Sequence, residues 1–156
     1  MGENARILVI DDDENIRQVL VAILADEGYN VESAGTGKEA LEKTRKQIFN
    51  AALIDVRLPD IEGIELLTKF RPTSPKLRKI VITGYPTLQN AIQAVNSGAD
   101  AYIMKPFDVD KVLAVIREQL VKQENERKFN QDMVADFIET RIREMDVSKI
   151  AWTPNQ

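Results

Sequence analysis

The sequence predicts a doubly wound α/β domain, in which helices cover both faces of a parallel β-sheet. Three observations support this prediction. Short apolar runs of strand length alternate five times with segments whose apolar residues recur at helical spacing. In the first run, residues 7–10 are all apolar, as is typical of a central parallel strand that is buried on both faces. Polar residues with functional groups stand directly after several runs, where ligands bind in open parallel sheets.

The predicted elements follow one another in a regular order through residue 121. Strands are predicted at residues 6–10, 30–34, 51–55, 79–83 and 101–104. Helices are predicted around residues 16–24, over residues 38–47, 64–70 and 86–96, and from residue 108 to residue 120. Gly28 and Gly98 stand where two of these helices are expected to end. Right-handed crossovers between such strands place the helices on both faces of one sheet.

Composition places the chain among ordinary folded proteins. Its 156 residues include 44% hydrophobic and 29% charged residues, which is close to average globular usage. The net charge of −4 argues against a protein that coats nucleic acid or an acidic membrane, because both need a basic face. No positive segment and no long apolar run precedes residue 11, so we expect no signal peptide, no transmembrane helix and a cytoplasmic location.

Two residue types are absent from the sequence, and each absence excludes some chemistry. Without cysteine, the chain has no disulfide, thiolate metal site or cysteine nucleophile. Without histidine, it lacks the commonest general base and cannot itself carry a phosphohistidine. Any partner that donates phosphate from a histidine is therefore another molecule.

Polar residues end or directly follow four of the five predicted strands. They are Asp11 and Asp12, Asp55, Thr83 and Lys105. Since the carboxyl ends of parallel strands meet at one edge of a sheet, these groups are expected to lie close together. Neighbouring carboxylates repel each other unless a pKa rises or a hard divalent cation such as Mg²⁺ binds. We interpret the acidic residues as a site for such a cation.

The same residues suit phosphoryl transfer. A divalent cation and Lys105 would provide the positive charge that the equatorial oxygens of the phosphoryl group need. One carboxylate can then act as the nucleophile and form an acyl phosphate. Asp55 suits this role, because it ends its strand singly and is not part of an acidic pair.

Four motifs carry a resemblance to a known family. They are ILVIDDD at residues 7–13, LIDVRLPDIEG at residues 53–63, ITGY at residues 82–85 and YIMKPF at residues 102–107. Through these motifs, residues 5–121 resemble the receiver domain of response regulators, the CheY-like family of two-component signal transduction. The resemblance implies a flavodoxin-like, five-stranded parallel sheet with strand order 2-1-3-4-5.

The resemblance also implies roles for the site residues. Asp55 would be the phosphoacceptor, and Asp11, Asp12, Asp55 and the backbone carbonyl of Arg57 would hold Mg²⁺ or Mn²⁺. Lys105 would contact the phosphoryl group, and its bond to the following proline is expected to be cis.

By the same resemblance, phosphorylation would act as a switch. Thr83 would move to a phosphoryl oxygen and Tyr102 would turn inward, changing the face formed by the fourth helix, fifth strand and fifth helix. Gly84 would leave access to the phosphoacceptor open, with Arg57 and Tyr85 at the border of the site. The implied partners are a histidine kinase, a phosphotransfer protein or a small phosphodonor, and a downstream protein or output domain. The chain would be a switch and not an enzyme.

Two other functions remain open at the level of sequence. In haloacid-dehalogenase-type phosphatases a strand ends in Asp-x-Asp, which Asp11 and Asp13 fit formally. However, Glu14 stands where that family usually has glycine, and Asp55 would have no role. The second alternative is a receiver-like scaffold that binds a partner without phosphorylation, although such proteins usually lack one of the site residues.

Asp13 is expected to cap the helix that follows it.

Residues 122–156 are predicted to form a helical extension. Apolar residues recur at steps of three and four from Phe129 to Met145. The extension either continues the last helix or forms a separate one. Three roles are open for it: it packs on its own domain, it forms a homodimer, or it begins an output module. A continuous coiled coil is disfavoured, since heptads extended from the domain reach Gln123, Arg127 and Asn130. Direct nucleic-acid binding is not expected from so short and evenly charged a segment.

Overall fold

The computed structural model describes the backbone of residues 5–151 and the side chains of residues 5–145. Strands and helices alternate along this part of the chain. The strands are β1 (Arg6–Ile10), β2 (Asn30–Ala34), β3 (Ala51–Asp55), β4 (Arg78–Thr83) and β5 (Ala101–Met104). The helices are α1 (Glu14–Asp26), α2 (Gly37–Lys46), α3 (Gly63–Leu67), α4 (Leu88–Asn96) and α5 (Val109–Ala151).

The strands form one parallel sheet in the order β2-β1-β3-β4-β5, which confirms the predicted fold class and strand order. The chain passes from β1 outward to β2 and then returns to β3 on the other side of β1. The strand order therefore reverses between β1 and β3, which is where open parallel sheets bind ligands. Ile10 of β1 pairs with Ile54 of β3, so the next residues along the chain, Asp11 and Asp55, are neighbours.

Alternate side chains of each strand enter two separate hydrophobic cores. On one face, Ile7 and Val9 of β1 belong to the core that contains residues of α1 and α5. On the other face, Leu8 and Ile10 belong to the core that contains residues of α2, α3 and α4. Every residue of β3 is buried, as expected for a central parallel strand that is covered on both faces.

The predicted helices are present, but two of their ends were predicted wrongly. α4 begins at Leu88 and not at residue 86, because the Thr87 hydroxyl accepts a backbone N–H of the first turn and caps the helix there. α3 ends at Leu67 and not at residue 70, because the Thr68 hydroxyl donates to the Glu65 carbonyl and competes with further helical bonding. The other helix ends lie within two residues of the prediction, apart from the end of α5, which continues far past residue 120.

α5 runs from Val109 to Ala151, so the predicted extension continues the last helix. The chain divides into two compact units, Met1–Gln123 and Glu124–Gln156. No helix in the part of the chain that the structure describes has the length and the apolar character needed to cross a membrane.

Buried glutamines of α5 hold this helix in the first unit. Gln119 and Gln123 are both buried. The Gln123 amide nitrogen donates to the carbonyls of Asn50 and Lys76 at 3.0 and 2.8 Å, and its oxygen accepts from the Asn50 side chain at 2.9 Å. The loops at the amino ends of β3 and β4 are thus tied to one side chain of α5.

We expect Gln123→Leu to lower the free energy of unfolding by about 2–3 kcal/mol, because buried amide and carbonyl groups lose their hydrogen-bond partners. Lys122→Leu at the exposed neighbouring position serves as the control and should stay within about 0.5 kcal/mol of the wild type. Urea unfolding of the full chain measures both changes. Equal midpoints for the two variants would contradict a stabilising role for Gln123.

Candidate functional site

The acidic residues predicted for the site lie together at the carboxyl edge of the sheet. Carboxylate oxygens of Asp11, Asp12 and Asp55 all lie within 4.8 Å of one another. Asp11 and Asp55 are only 3% and 8% exposed, whereas Asp12 is exposed. The arrangement follows from the sheet, because Asp11 comes directly after β1 and Asp55 ends the adjacent strand β3.

Lys105 is the cation among these carboxylates. Its ammonium nitrogen lies 3.1 Å from Oδ2 of Asp11 and 3.6 Å from Oδ1 of Asp55. The residue comes directly after β5, where its backbone N–H donates to the Thr83 carbonyl at 2.7 Å. The peptide bond between Lys105 and Pro106 is cis, which confirms the prediction. The lysine thus reaches the acidic residues across the end of β4.

Burial and mutual repulsion change the protonation of the site. Burial, and after it the charge of Asp11, raise the pKa of Asp55 to about 6, although Lys105 and the backbone N–H of Arg57 oppose this rise. Burial alone would lower the pKa of Lys105, but its hydrogen bond and charge interactions with Asp11 and Asp55 outweigh burial and raise the pKa. The carboxylates carry more negative charge than Lys105 compensates, and their oxygens are the ligands that a hard divalent cation prefers.

Thr83 and Tyr102 lie near each other behind the acidic residues. Thr83 is fully buried at the end of β4, and its hydroxyl accepts the backbone N–H of Tyr85 at 2.9 Å. The Tyr102 hydroxyl is buried and makes no hydrogen bond of good geometry to a described residue. Burial raises the pKa of Tyr102, and the nearby Thr83 hydroxyl opposes this rise. The tyrosine hydroxyl therefore already points into the protein next to Thr83.

A cavity of about 440 Å³ leads from solvent to Asp55. It is lined by Asp12, Asp55, Arg57, Gly84, Tyr85 and Lys105. The Arg57 guanidinium stacks on the Tyr85 ring, with 3.7 Å between its central carbon and the ring centroid. A Cβ at Gly84 would meet Lys105 side-chain carbons only at 3.8 and 3.9 Å, so this position does not crowd the opening.

Two residues that support the site were not singled out from the sequence. The Arg17 guanidinium donates to the Asp11 carbonyl at 2.7 Å and braces the loop that carries the acidic pair. The Asp60 carboxylate accepts the backbone N–H groups of Gly37 and Lys38, both at 2.9 Å, and these bonds lower the pKa of Asp60. Asp60 thereby ties the loop after β3 to the first turn of α2. No local pattern identifies either residue, because each partner lies in another element.

Known proteins similar to this chain share one domain type. The sequence model of the response regulator receiver domain matches residues 7–117. The transcriptional regulatory protein ZraR of Klebsiella oxytoca is 38% identical over 119 residues, which are 76% of this chain and 27% of ZraR. The chain therefore spans only about a quarter of the length of this curated relative.

Solved structures agree with the sequence match. A response regulator receiver domain protein (CheY-like) from Methanospirillum hungatei JF-1 has a TM-score of 0.75 and 48% identity, and the match covers 78% of this chain and 98% of that one. A response regulator protein from Burkholderia pseudomallei, solved with a phosphorylated aspartic acid, calcium ion and citrate, has a TM-score of 0.67 and 32% identity. That match covers 79% of this chain and 72% of the other. The chain belongs to the response regulator receiver domain family of two-component signalling.

Proposed function

We propose that this chain is a switch that accepts a phosphoryl group on Asp55 from a histidine kinase, a phosphotransfer protein or a small phosphodonor. One observation carries the proposal. The buried Asp55 carboxylate lies beside two further carboxylates and the Lys105 ammonium group, and it lines a cavity that opens to solvent. Because the chain contains no histidine, a phosphohistidine donor must be another molecule.

In the proposed reaction, a carboxylate oxygen of Asp55 attacks the phosphorus atom of the donor. The bond between phosphorus and the donor's nitrogen or oxygen breaks, and the donor keeps the electron pair. Asp55 must be ionised to attack, and a pKa of about 6 leaves it mostly ionised at neutral pH while making it more basic than an exposed aspartate. Later attack by water on phosphorus breaks the new bond, releases inorganic phosphate and restores the carboxylate.

A divalent cation would support this reaction at the acidic residues. We assign Asp11, Asp12, Asp55 and the backbone carbonyl of Arg57 as ligands for Mg²⁺ or Mn²⁺, because the carboxylate oxygens converge and their charge exceeds that of Lys105. When bound, the cation neutralises charge on the phosphoryl oxygens. Lys105 would also contact those oxygens, since its ammonium group lies 3.6 Å from Oδ1 of Asp55. The Burkholderia pseudomallei relative, solved with a phosphorylated aspartic acid and a calcium ion, supports the assignment.

The switch itself would involve Thr83 and Tyr102. If the Thr83 hydroxyl turns toward a phosphoryl oxygen, it loses the N–H bond that it now accepts from Tyr85. The Tyr102 hydroxyl is buried without a hydrogen-bond partner among the described residues. Movement of the neighbouring Thr83 hydroxyl would therefore change the polar surroundings of this group. Phosphorylation would in this way bias an equilibrium between two arrangements of β4, β5 and α4.

The output face would lie on α4, β5 and α5. On α4 and β5, the most exposed apolar side chains of this face are Leu88, Ile92, Val95 and Met104. Residues 88–96 of α4 include no charged side chain. An apolar, uncharged helix face suits contact with another protein surface, so we assign it to a downstream protein or an output domain.

The proposal is tested by incubating the full chain with acetyl phosphate and Mg²⁺. We expect intact-mass spectrometry to detect one added phosphoryl group on the wild type and none on Asp55→Asn. Borohydride reduction converts an aspartyl phosphate to homoserine, which then identifies the modified residue in a peptide map. Lys105→Ala should slow labelling by roughly 100-fold or more, because one positive contact to the phosphoryl group is lost.

Two control variants separate the site from general effects of charge. Asp26→Asn changes an exposed aspartate of α1, and Lys111→Ala changes an exposed lysine of α5, so both should label like the wild type. Labelling that persists in Asp55→Asn at the same stoichiometry would overturn the assignment. A modification that maps to Asp11 would favour the phosphatase alternative, and a folded wild type that never labels would favour the phosphorylation-independent scaffold.

A further inference from the structure

The loop between β3 and α3 is closed at its base. The Gly63 N–H donates to the Val56 carbonyl at 2.7 Å, and Arg57 and Glu62 face each other as an isolated antiparallel bridge. The two ends of the loop are therefore held side by side. Arg57 belongs to this base, and its backbone N–H hydrogen-bonds to the Asp55 carboxylate. The backbone of the loop thus begins in direct contact with the acidic residues.

The tip of the same loop is held by the first turn of α2. Oδ1 of Asp60 accepts the Gly37 N–H and Oδ2 accepts the Lys38 N–H, both at 2.9 Å. Beside these bonds, Ile61 packs against Gly37, where a Cβ would lie 2.2 Å from Cγ2 of the isoleucine. We call the two hydrogen bonds and this packing contact the loop anchor. It joins the loop to a helix that holds none of the acidic residues.

The helix end makes the loop anchor favourable. The first N–H groups of a helix have no partners within the helix, and the helix dipole favours a negative charge beside them. In α2, the Thr36 hydroxyl accepts the Glu39 N–H at 3.1 Å, and Asp60 accepts two others. These two bonds lower the pKa of Asp60, so its carboxylate stays ionised at neutral pH. Hydrogen bonds to an ionised acceptor are stronger than those between neutral groups.

The base of the loop and the loop anchor together fix the backbone around Arg57. The carbonyl of this residue is a proposed ligand of the divalent cation, and a carbonyl oxygen moves only with its backbone. Groups that orient the ligands of a metal commonly decide how tightly the metal binds. We infer that the loop anchor sets the affinity of the acidic residues for Mg²⁺ by holding the Arg57 carbonyl in place. Asp60 is then a positioning residue, and the inference rests on the proposed cation site.

Calorimetric titration of the full chain with Mg²⁺ tests the inference. We expect Asp60→Ala to weaken Mg²⁺ binding roughly tenfold, because the tip of the loop is released. Glu62→Ala is the matched control, since it removes a carboxylate of the same loop whose side chain makes no capping bond to α3. It should change the affinity less than about twofold. Equal affinities in Asp60→Ala and the wild type, or equal losses in the two variants, would overturn the inference.

A second variant tests the loop anchor without changing any charge. In Gly37→Ala the new Cβ must displace Ile61, because Cγ2 of that side chain occupies its place. We expect Mg²⁺ binding to weaken by roughly threefold or more, although Asp60 is still present. The double variant Gly37→Ala, Ile61→Ala removes the clash and should bind Mg²⁺ more tightly than Gly37→Ala does. Wild-type affinity in Gly37→Ala would contradict the inference even if Asp60→Ala does not fold.

Labelling with acetyl phosphate separates this inference from the proposed function. Asp60 bonds to α2 and is not expected to touch the phosphoryl group. At saturating Mg²⁺, Asp60→Ala should therefore label Asp55 within about twofold of the wild-type rate, and it should label more slowly only at low Mg²⁺. Slow labelling at saturating Mg²⁺ would overturn the inference while leaving Asp55 as the phosphoacceptor. A wild type that binds no Mg²⁺ would overturn the cation site and the inference together.

Discussion

Gly63→Ala is expected to lower the free energy of unfolding by about 3 kcal/mol or more, or to prevent folding altogether. A Cβ at this position would lie 2.1 Å from the backbone oxygen of Asp55 and 2.9 Å from its carbonyl carbon. Backbone atoms cannot rotate out of the way as a side chain could, so the loop or the end of β3 must move. The Gly63 N–H also donates to the Val56 carbonyl at 2.7 Å, which holds the loop against the strand.

Gly84→Ala is the matched control for this prediction. The added methyl group would meet only side-chain carbons of Lys105 at ordinary contact distances. Its free energy of unfolding should therefore stay within about 0.5 kcal/mol of the wild type. Urea unfolding followed by circular dichroism compares the two variants. If Gly63→Ala unfolds at the same urea concentration as Gly84→Ala, that result would contradict the close contact between Gly63 and the backbone of Asp55.

Asp55→Asn is expected to stabilise the protein by about 2–3 kcal/mol at pH 7 when no divalent cation is present. Burial and the charge of Asp11 raise the pKa of Asp55 to about 6, so the folded protein holds a proton there more tightly than the unfolded chain does. Ionised Asp55 consequently destabilises the fold at neutral pH. Asparagine removes that charge while keeping nearly the same shape.

The pH dependence of this effect has a definite sign. Asp55 ionises near pH 3.8 in the unfolded chain and near pH 6 in the folded protein. Its contribution to stability is therefore complete below the lower value and is lost as the pH rises through the higher one. The difference in unfolding free energy between Asp55→Asn and the wild type should grow between about pH 4 and pH 6 and stay constant above that range. A difference that shrinks over this range would contradict the raised pKa.

Addition of Mg²⁺ should reduce the difference in stability between Asp55→Asn and the wild type. A ligand that binds only the folded state stabilises it by about 2.7 kcal/mol at a concentration of one hundred times its dissociation constant. Because Asp55→Asn removes one of the proposed ligands, Mg²⁺ should raise the melting temperature of the wild type more than that of the variant. Asp26→Asn, at an exposed position away from the site, should respond to Mg²⁺ like the wild type. Equal shifts in the wild type and Asp55→Asn would contradict a role for Asp55 as a ligand.

The sequence by itself determined the fold class and the residues that meet at one edge of the sheet. Apolar periodicity located the strands, and in a parallel sheet the residues that follow the strands must share an edge. For this reason Asp11, Asp55, Thr83 and Lys105 were predicted as neighbours, and the structure brings them together. Capping by Asp13 was equally predictable and is confirmed, because its carboxylate bonds to backbone groups two and three residues further on.

Only the tertiary structure decided which distant groups support that edge. Arg17 reaches the Asp11 carbonyl, Asp60 reaches the first turn of α2, and Gln123 reaches the loops before β3 and β4. Sequence reports the donors and acceptors that a residue carries but not which of many possible partners comes within 3 Å. The sequence likewise does not show why residue 63 is glycine. The reason is the backbone of Asp55, which lies so close to Gly63 that a Cβ has no room. Such contacts depend on how whole elements are positioned, which local patterns in a sequence do not encode.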